Sequence, residues 1–437
     1  MIKIKIKIKM IKKIQNNFIN IQSQINKLFS YLIIAYFFIV PISHIYSNKF
    51  INLLIILWIL SFDFKAVYLN ILNSKILKSV LLLTILIATS YMYKGNYIAT
   101  NNEELHYANF HTYFSDFTIF FLYPIIIITT KLRKDFIPYV ISAFIFGMLL
   151  NEIITYGVYF EFWTTTYGTP HNPIPFHKTH ITYSTFVGFT VLLTIYKFKL
   201  LQNNYEKIFY MLFLTTMFIN LLLNYGRTGQ FSFFITLIFL VFIYYKKSIK
   251  HISVLLLSIS ILFIISYNTV DTFHVRVNQA KSDVSNILNS TGADTSFGTR
   301  ILAFDTIPYL MNRDNILFGV GMGNKTQYIS NTLSKSYPYY IHSFNDNGYL
   351  HDSHVEMLVS NGIIGLLVYM SIFFFLLKSN IKDKYIKYIS TITGIYFFCY
   401  GLSADIFFAY EPMNLFAILI SIVIIQQEYE RQNSERR

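Results

Sequence analysis

The feature that most constrains this chain is a series of apolar runs about as long as a bilayer is thick. Runs of roughly 17–25 apolar residues can cross the hydrocarbon core as helices. Twelve candidate helices lie along the sequence, at about 28–46, 51–72, 76–93, 116–130, 136–158, 180–196, 206–224, 229–245, 251–267, 354–377, 385–402 and 404–426. The sequence therefore predicts an all-α polytopic membrane protein with about twelve transmembrane helices.

The composition supports lipid as the main solvent. Hydrophobic types make up 54% of the 437 residues and charged types 13%, whereas a soluble domain carries about 25% charged residues. This excludes a soluble multidomain enzyme and a disordered chain. The net charge of +14 does not indicate nucleic acid, because the basic residues are spread thinly between apolar runs. One cysteine, Cys399, excludes an intramolecular disulfide and a cysteine zinc site.

The distribution of Lys and Arg predicts the topology. Every second short loop is basic, as in the loop containing Lys131, Arg133 and Lys134, and basic loops stay in the cytoplasm. Both termini are therefore predicted to be cytoplasmic. The predicted regions are a basic N-terminal tail (1–27), helices 1–9 (28–267), a large periplasmic loop with short helices (268–353), helices 10–12 (354–426) and a cytoplasmic C-terminal tail (427–437).

The concentrated polar residues all fall on the predicted outer side. They occupy residues 94–115, residues 159–179 and the long loop 268–353. Because the bacterial periplasm lacks ATP, a reaction there needs a donor that carries its own activation, such as a polyprenyl-diphosphate sugar. The chain also has no phosphate-binding Gly-Lys-Ser/Thr loop that would indicate a pump.

Two arginines are candidate ligands for such a diphosphate. Arg227 lies in "LLLNYGRTGQFSFF", in a very short turn at the outer boundary. An arginine there either pairs with an anion or extends to lipid phosphates. Arg300, in "TSFGTRILAFD", is either a solvated loop residue, a partner of Asp305, or a second diphosphate ligand. The planar guanidinium suits the last role because it donates two parallel hydrogen bonds.

The candidate proton acceptor is a histidine before the tenth predicted span. His351 stands in "NGYLHDSHVEMLVSNGIIGLLVYM", and its spacing predicts one helical face shared with His354 and Leu358. A histidine can accept a proton from a sugar hydroxyl near neutral pH. The alternatives are a capping or interfacial histidine, or half of a metal site with His354.

Other ionisable residues have no role that the sequence decides. His171, His177 and His180 cluster in the segment 159–179 and its boundary, where they could bind a metal, line the mouth of a cavity or simply be solvated. His342 belongs with them. Two carboxylates fall within or beside spans, where ionisable groups are functional candidates: Glu152 and Asp405.

Three sequence elements, taken in order, resemble the O-antigen ligase and O-antigen polymerase superfamily. They are "NYGRTGQ" at the start of one span, "FGVGMGN" in the long loop, and "HDSHVEMLVSNGIIGLLVYM" at the start of the next span. The detailed resemblance covers roughly residues 215–377. The chain departs from the family pattern at Asp352, where Asn is frequent, and at Ser360-Asn361, where an acidic residue precedes the glycine.

The resemblance implies a C-type membrane glycosyltransferase whose donor is a glycan on undecaprenyl diphosphate at the periplasmic face. Position by position, Arg227 matches the family's arginine after the short turn, Arg300 its loop arginine and His351 the histidine of its helix start. We therefore expect the two arginines to bind the diphosphate and His351 to be the general base, at the periplasmic face of a bacterial inner membrane. No cofactor or metal ion is expected, and there is no Asp-x-Asp motif. The expected partners are the lipid-linked donor, a lipid A-core or glycan acceptor, and membrane lipids.

Three functions remain open from the sequence. The "RTG" turn and the "HDSHVEMLVSNGIIG" stretch favour an O-antigen ligase, which joins the glycan to lipid A-core. A repeat-unit polymerase would instead use a second lipid-linked glycan as acceptor. A polytopic transporter or flippase is disfavoured because it would place charged or broken helices at mid-membrane, whereas this chain places its polar residues outside.

Overall fold

The computed structural model describes residues 23–61, 63–94, 113–177, 179–245, 249–288, 298–323, 325–333, 350–407 and 409–435. Within these ranges the regular structure is helical, and the pairing outside helices consists of two isolated bridges, Ser43 with Phe176 and Thr169 with Asn172. The predicted all-α class is confirmed. Most of the predicted N-terminal tail and of the outer segment 94–115 lies outside the described residues.

The helices of the first half follow the predicted apolar runs closely. They are α1 (Ser23–Ile39), α2 (His44–Leu60), α3 (Phe64–Asn73), α4 (Lys75–Lys94), α5 (Tyr113–Lys131), α6 (Lys134–Tyr159), α7 (His180–Leu200) and α8 (Asn204–Leu223). Each of these helices overlaps a predicted span, because burial in lipid demands the same apolar length that defines the run.

The second half contains the helices of the predicted outer loop as well as membrane helices. They are α9 (Arg227–Tyr245), α10 (Ile249–Thr269), α11 (Asp271–Leu288), α12 (Gly298–Asp305), α13 (Ile307–Leu310), α14 (Lys325–Leu333), α15 (Ser353–Leu377), α16 (Lys384–Gly401) and α17 (Tyr410–Glu435). Four of them, α11 to α14, lie in the predicted loop region 268–353.

Eight helices in the described ranges are long and apolar enough to cross a membrane, namely α5 to α10, α15 and α17. A ninth span results if α2 and α3, which meet at a bend of 110°, count as one broken span. This confirms a polytopic membrane protein. The total of twelve spans, the topology and the predicted region boundaries remain predictions.

The chain breaks at different points from those predicted near the N-terminus. The first helix ends at Ile39 rather than near residue 46, because Pro41 follows and cannot donate a helical hydrogen bond. The second predicted span is divided into a helix that ends at Leu60 and one that begins at Phe64, where the Asp63 side chain accepts the Ala66 N–H at 3.0 Å and starts the new helix. Two junctions within the apolar region are thus set by local capping and not by hydropathy.

Helix α17 is the centre of the bundle. Its membrane-spanning part is almost entirely buried within the protein. The ring of Phe416 stacks on Phe397 at a centroid distance of 4.5 Å, on Phe121 at 5.5 Å and on Phe373 at 5.7 Å. Aromatic pairs of this kind add about 0.5–1.5 kcal/mol each beyond the area they bury. This aromatic core holds α5, α15 and α16 around α17 and so fixes the position of their outer ends.

Candidate active site

Arg227 is the first residue of α9, and the turn before it is held by side chains. The Asn224 side chain accepts the Gly226 N–H at 2.8 Å. The Gln230 amide donates to the carbonyl oxygens of Leu221, at 2.9 Å, and Asn224, at 3.1 Å. Backbone groups that the α8–α9 turn leaves unpaired are thereby satisfied. Arg227 therefore starts from a well-determined backbone position.

Glycine lets α9 approach α7 closely at the same point. A Cβ atom on Gly229 would lie 2.3 Å from the Ser184 carbonyl oxygen, and one on Gly226 would lie 2.1 Å from the Ser184 hydroxyl. Any larger residue would push the two helices apart. Gly226 and Gly229 thus permit a tight backbone, which brings Arg227 against the bundle.

The Arg227 guanidinium is paired with side chains of α11. Its Nη1 lies 3.2 Å from Asp283 Oδ2, and its Nη2 donates to Gln279 Oε1 at 2.6 Å. The Asp283 side chain is only 5% exposed, so its carboxylate is held at the guanidinium. Of the two alternatives for Arg227, the structure shows an anionic partner within the protein.

Arg300 lies on α12 and reaches the beginning of α9. Its Nε donates to the Ser403 carbonyl oxygen at 2.5 Å, and its Nη2 donates to the Thr228 hydroxyl at 3.4 Å. Thr228 directly follows Arg227. The side chain of Arg300 therefore reaches the beginning of α9, where Arg227 lies, although the two arginines were predicted from separate motifs.

Both arginines line one cavity of about 620 Å³. A third arginine, Arg276 of α11, lines it as well. The remaining walls are mostly apolar side chains, such as Phe234 of α9 and Phe263 of α10. A volume of about 300–1,000 Å³ is usual for a ligand site. The cavity thus combines a cationic end with an apolar end, as an amphipathic anion would require.

Arg276 lies outside the sequence motifs, and the polarity of α11 predicts an outer loop and not a cavity wall. A signal was present, since Phe273, Arg276, Val277 and Ala280 recur at three- and four-residue spacing and all line the cavity.

His351 lies just before α15 and not on it. Its backbone φ is 57°, in the left-handed region, and α15 begins at Ser353 with Asp352 as its N-cap. The shared helical face expected for His351, His354 and Leu358 is therefore wrong. The reason is the Asp352 side chain, which accepts the N–H groups of His354 and Val355, both at 2.8 Å, and so starts the helix after His351.

The position of His351 relates it to Arg300. Burial, and secondly the charge of Arg300, lower the pKa of His351 to about 4. The imidazole is therefore neutral at pH 7 and able to accept a proton. His351 is not among the residues that line the cavity. It interacts electrostatically with Arg300, which does line the cavity.

A buried polar cluster adjoins His351. The Ser353 hydroxyl donates to the Ala404 carbonyl oxygen at 3.0 Å and contacts Asp405 Oδ1 at 3.3 Å. Asp405 Oδ1 also accepts the Phe407 N–H at 2.9 Å.

Burial raises the pKa of Asp405, an effect that the charge of Lys325 opposes. Asp405 thus fixes the turn between α16 and α17, which also contains the Ser403 carbonyl that binds Arg300.

Lys325 connects the outer region to this cluster. It is the first residue of α14, and its ammonium forms an ion pair with Glu356 of α15. The side chains of Lys325 and Glu356 are 8% and 0% exposed. Burial lowers the pKa of Lys325 to about 8, while the charge of Asp405 favours its protonated form. The pair attaches α14 to the membrane body.

We expect Lys325→Met to loosen α14. Removing one partner of a buried ion pair costs about 3–5 kcal/mol, because the other charge stays buried without compensation. Hydrogen exchange of the α14 amides should accelerate strongly in Lys325→Met and recover in Lys325→Met/Glu356→Leu. Lys281→Met, at an exposed site on α11, is the matched control. Unchanged α14 protection in Lys325→Met would contradict this assignment.

The two glycine motifs of the sequence meet each other. The Val320 N–H donates to the Val359 carbonyl oxygen and the Gly321 N–H to the Ser360 carbonyl oxygen, both at 2.9 Å. Gly319 and Gly362 have φ of 70° and 67°. A Cβ atom on either would lie 2.3–2.4 Å from the backbone of the other segment. Residues 318–323 of this motif therefore form a turn that docks on a break in α15.

The remaining histidines are dispersed. His177 is buried, with Nδ1 3.1 Å from Glu411 Oε1 and Nε2 2.7 Å from the Pro41 carbonyl oxygen, which makes it a structural link. His171 is exposed, and His180 is the first residue of α7. His342 lies outside the described residues.

Two other candidates also fall outside the cavity. His354 is enclosed by aromatic rings, including Phe398 at a centroid distance of 4.8 Å. Glu152 is buried in α6, 4% exposed. Among the described residues, no group of three or more His, Cys, Asp or Glu side chains is placed to hold a metal ion.

Comparison with known proteins identifies a family for part of the chain. The family model described as O-antigen ligase matches residues 211–370. The match begins within α8 and ends within α15, so it includes Arg227, Arg300 and His351. No curated protein matches the chain.

Proposed function

The chain belongs to the O-antigen ligase and O-antigen polymerase superfamily through residues 211–370, and we propose that it transfers a glycan from undecaprenyl diphosphate to lipid A-core. Members of this family are membrane glycosyltransferase-like enzymes that act on a lipid-linked glycan. We further propose that the chain resides in the bacterial inner membrane, with both termini in the cytoplasm and the site at the periplasmic face.

The observation that supports this function most is the shape and charge of the cavity. Arg227 and Arg300 stand at one end, and the walls beyond them are apolar side chains of α9 and α10. A polyprenyl diphosphate has the same arrangement, a dianionic or trianionic head on a hydrocarbon tail. The volume of about 620 Å³ accommodates the head and the first isoprene units, and the remaining tail extends into the bilayer.

In the proposed reaction the hydroxyl oxygen of an acceptor sugar attacks C1 of the donor sugar. The new bond is C1–O(acceptor), and the bond that breaks is C1–O(diphosphate). The electron pair of the broken bond leaves with undecaprenyl diphosphate. Arg227 and Arg300 stabilise the charge that develops on it, which is worth several kcal/mol in a site that excludes water.

The hydroxyl proton goes to His351. Its imidazole is neutral at pH 7 because burial and Arg300 disfavour the imidazolium. A general base of this kind contributes typically about 10²–10⁴-fold. The positive charge that stabilises the leaving diphosphate comes from the two arginines. The proposed reaction therefore uses no metal ion.

The test is a transfer assay with the purified full-length protein. Undecaprenyl-diphosphate glycan is mixed with either lipid A-core or a second lipid-linked repeat unit, with EDTA present. We expect glycan on lipid A-core. Product formed only with the second repeat unit would make the protein a polymerase, and transfer to neither acceptor would contradict a glycosyltransferase.

A deletion strain separates the two enzymes in the cell. Loss of a ligase leaves lipopolysaccharide that consists of core alone. Loss of a polymerase leaves core that carries a single repeat unit. We expect core alone.

A further inference from the structure

The cavity contains a cationic residue that the proposed mechanism does not use. Arg276 lies on α11, about two turns before Asp283, and lines the cavity together with Arg227 and Arg300. Neither the family match nor the sequence motifs assign it a role. Its environment shows how its guanidinium is placed.

The Arg276 guanidinium is stacked and oriented. Its centre lies 3.9 Å from the ring centroid of Tyr225, in the turn that leads into α9. Stacking on an aromatic face fixes the plane of a guanidinium. One edge is bound, because Nη1 donates to Gln279 Oε1 at 2.8 Å.

Gln279 joins two cations. Its Oε1 accepts one hydrogen bond from Arg276 and another, of 2.6 Å, from Nη2 of Arg227. Two guanidinium groups that share one amide oxygen repel each other, and burial together with the charge of Arg227 lowers the pKa of Arg276. Such a pair is favourable where an anion is to be bound between or beside its members.

The local charge is not balanced within the described part of the chain. Asp283 pairs with Arg227, and no carboxylate there forms an ion pair with Arg276. The Nε of Arg276 is buried and has no hydrogen-bond acceptor among the described residues. A buried donor of this kind is costly unless a ligand or water accepts its hydrogen bond.

The backbone under Arg276 is anchored. At the start of α11 the Thr272 hydroxyl donates to the Leu222 carbonyl oxygen of α8 at 3.1 Å. Near its middle, Asn278 Oδ1 accepts the Tyr267 hydroxyl at 2.8 Å. Arg276 therefore faces the cavity by the geometry of the fold and is not a loosely placed surface residue.

We infer that Arg276 is a third diphosphate-binding residue, whose free donors bind a phosphate oxygen of the lipid-linked donor beside Arg227. This inference rests on the proposed function. It makes α11 a part of the donor site: one face of the helix contributes a cation, a bridging amide and the carboxylate of Asp283. It also accounts for the presence of a polar helix against an otherwise apolar cavity.

Binding to purified full-length protein tests the assignment directly, without catalysis. The probes are undecaprenyl diphosphate and undecaprenyl monophosphate in detergent micelles, and the variants are Arg276→Ala, Arg276→Lys and Lys281→Ala. Lys281 is exposed on the same helix and does not line the cavity. A charged hydrogen bond corresponds to roughly a 10–100-fold change in dissociation constant.

We expect Arg276→Ala to weaken diphosphate binding by about tenfold or more, and to weaken monophosphate binding less. Arg276→Lys should retain part of the preference for the diphosphate, because it keeps the charge but loses the planar fork. Lys281→Ala should bind both lipids as the unchanged protein does. The ratio of the two affinities is the decisive quantity, because a merely structural role of Arg276 would lower both equally.

Two results overturn the inference, and they differ. Should Arg276→Ala and Arg276→Lys keep the diphosphate-to-monophosphate ratio of the unchanged protein while Arg227→Ala loses it, Arg276 is not a ligand and the proposed function stands. Should the unchanged protein itself show no preference for undecaprenyl diphosphate, the proposed function fails as well. If Arg276→Ala does not fold, the diphosphate-to-monophosphate affinity ratio of Arg276→Lys decides between these results.

Discussion

Arg227→Ala is expected to abolish glycan transfer while the protein still inserts and folds. The guanidinium contacts Asp283 and Gln279. Its removal leaves the Asp283 carboxylate without its cation and weakens the attachment of α11 locally, but the packing of α9 on α7 depends on Gly229 and is kept. Removing one preorganised donor to developing charge typically lowers kcat by about 10²–10³-fold. The loss here should reach the upper end, because the diphosphate carries more charge than a single oxyanion.

The experiment compares Arg227→Ala with Arg227→Lys and Arg313→Ala. Arg313 is also an arginine of the outer region, but it is exposed and does not line the cavity. Transfer is measured with purified protein, and the lipopolysaccharide of complemented cells is separated on gels. We expect Arg227→Lys to be intermediate, since a lysine keeps the charge but not the two parallel hydrogen bonds. Normal capped lipopolysaccharide in Arg227→Ala cells would remove Arg227 from the site.

The sequence predicted the membrane helices well because a single physical quantity decides them. A helix in lipid must bury its backbone hydrogen bonds and expose apolar side chains over a fixed length, and hydropathy measures that property directly. Where the prediction of a helix end failed, at Pro41 and at Asp63, a local residue ended or began a helix inside an apolar region. Such residues were visible in the sequence but weigh little in an average over a window.

The candidate site was partly predictable. Arg227 and Arg300 were identified from motifs, and the structure places both on one cavity. Their meeting could not be calculated from the sequence, because it depends on how α11 and α12 fold back onto α9. Arg276 was missed for the same reason: the polarity of α11 indicates an outer helix, and only its packing on α8 through Thr272 turns one face to the cavity.

The position of His351 shows how one capping residue changes a site. Helical spacing alone groups His351 with His354. Asp352 is an excellent N-cap, and its two hydrogen bonds start α15 after His351. As a result, His354 is enclosed by aromatic rings within the bundle. His351 lies outside α15 and near Arg300. Recognising the cap in the sequence would have separated the two histidines.

His351→Asn is expected to lower the transfer rate by about 10²–10⁴-fold, the usual contribution of a general base. Asparagine is the suitable replacement because the backbone φ of 57° is left-handed, a conformation that asparagine adopts more readily than alanine. The variant should therefore keep the fold and the binding of undecaprenyl diphosphate. The measurement is kcat and KM for the donor, with lipid A-core saturating.

The pH dependence of the same reaction identifies the base. His351 must be neutral to accept the proton, so activity falls as pH decreases through its pKa. In the free protein, burial and Arg300 lower that pKa from 6.5 to about 4, and the acid limb of kcat/KM for the donor should have its midpoint near that value. In the proposed complex, the diphosphate neutralises Arg300 and adds negative charge, which favours the imidazolium. The acid limb of kcat, which reports the complex, should therefore lie at higher pH.

The separation of the two limbs is specific to a histidine beside a diphosphate-binding arginine. In Arg300→Lys the two limbs should remain separated, because a positive charge is kept. The pH profile of the residual activity of His351→Asn should show neither of the two acid limbs. If His351→Asn transfers glycan at the original rate, or if its residual activity keeps the same acid limbs, the general base is another residue. The buried carboxylate of Asp405 would then be the next group to replace.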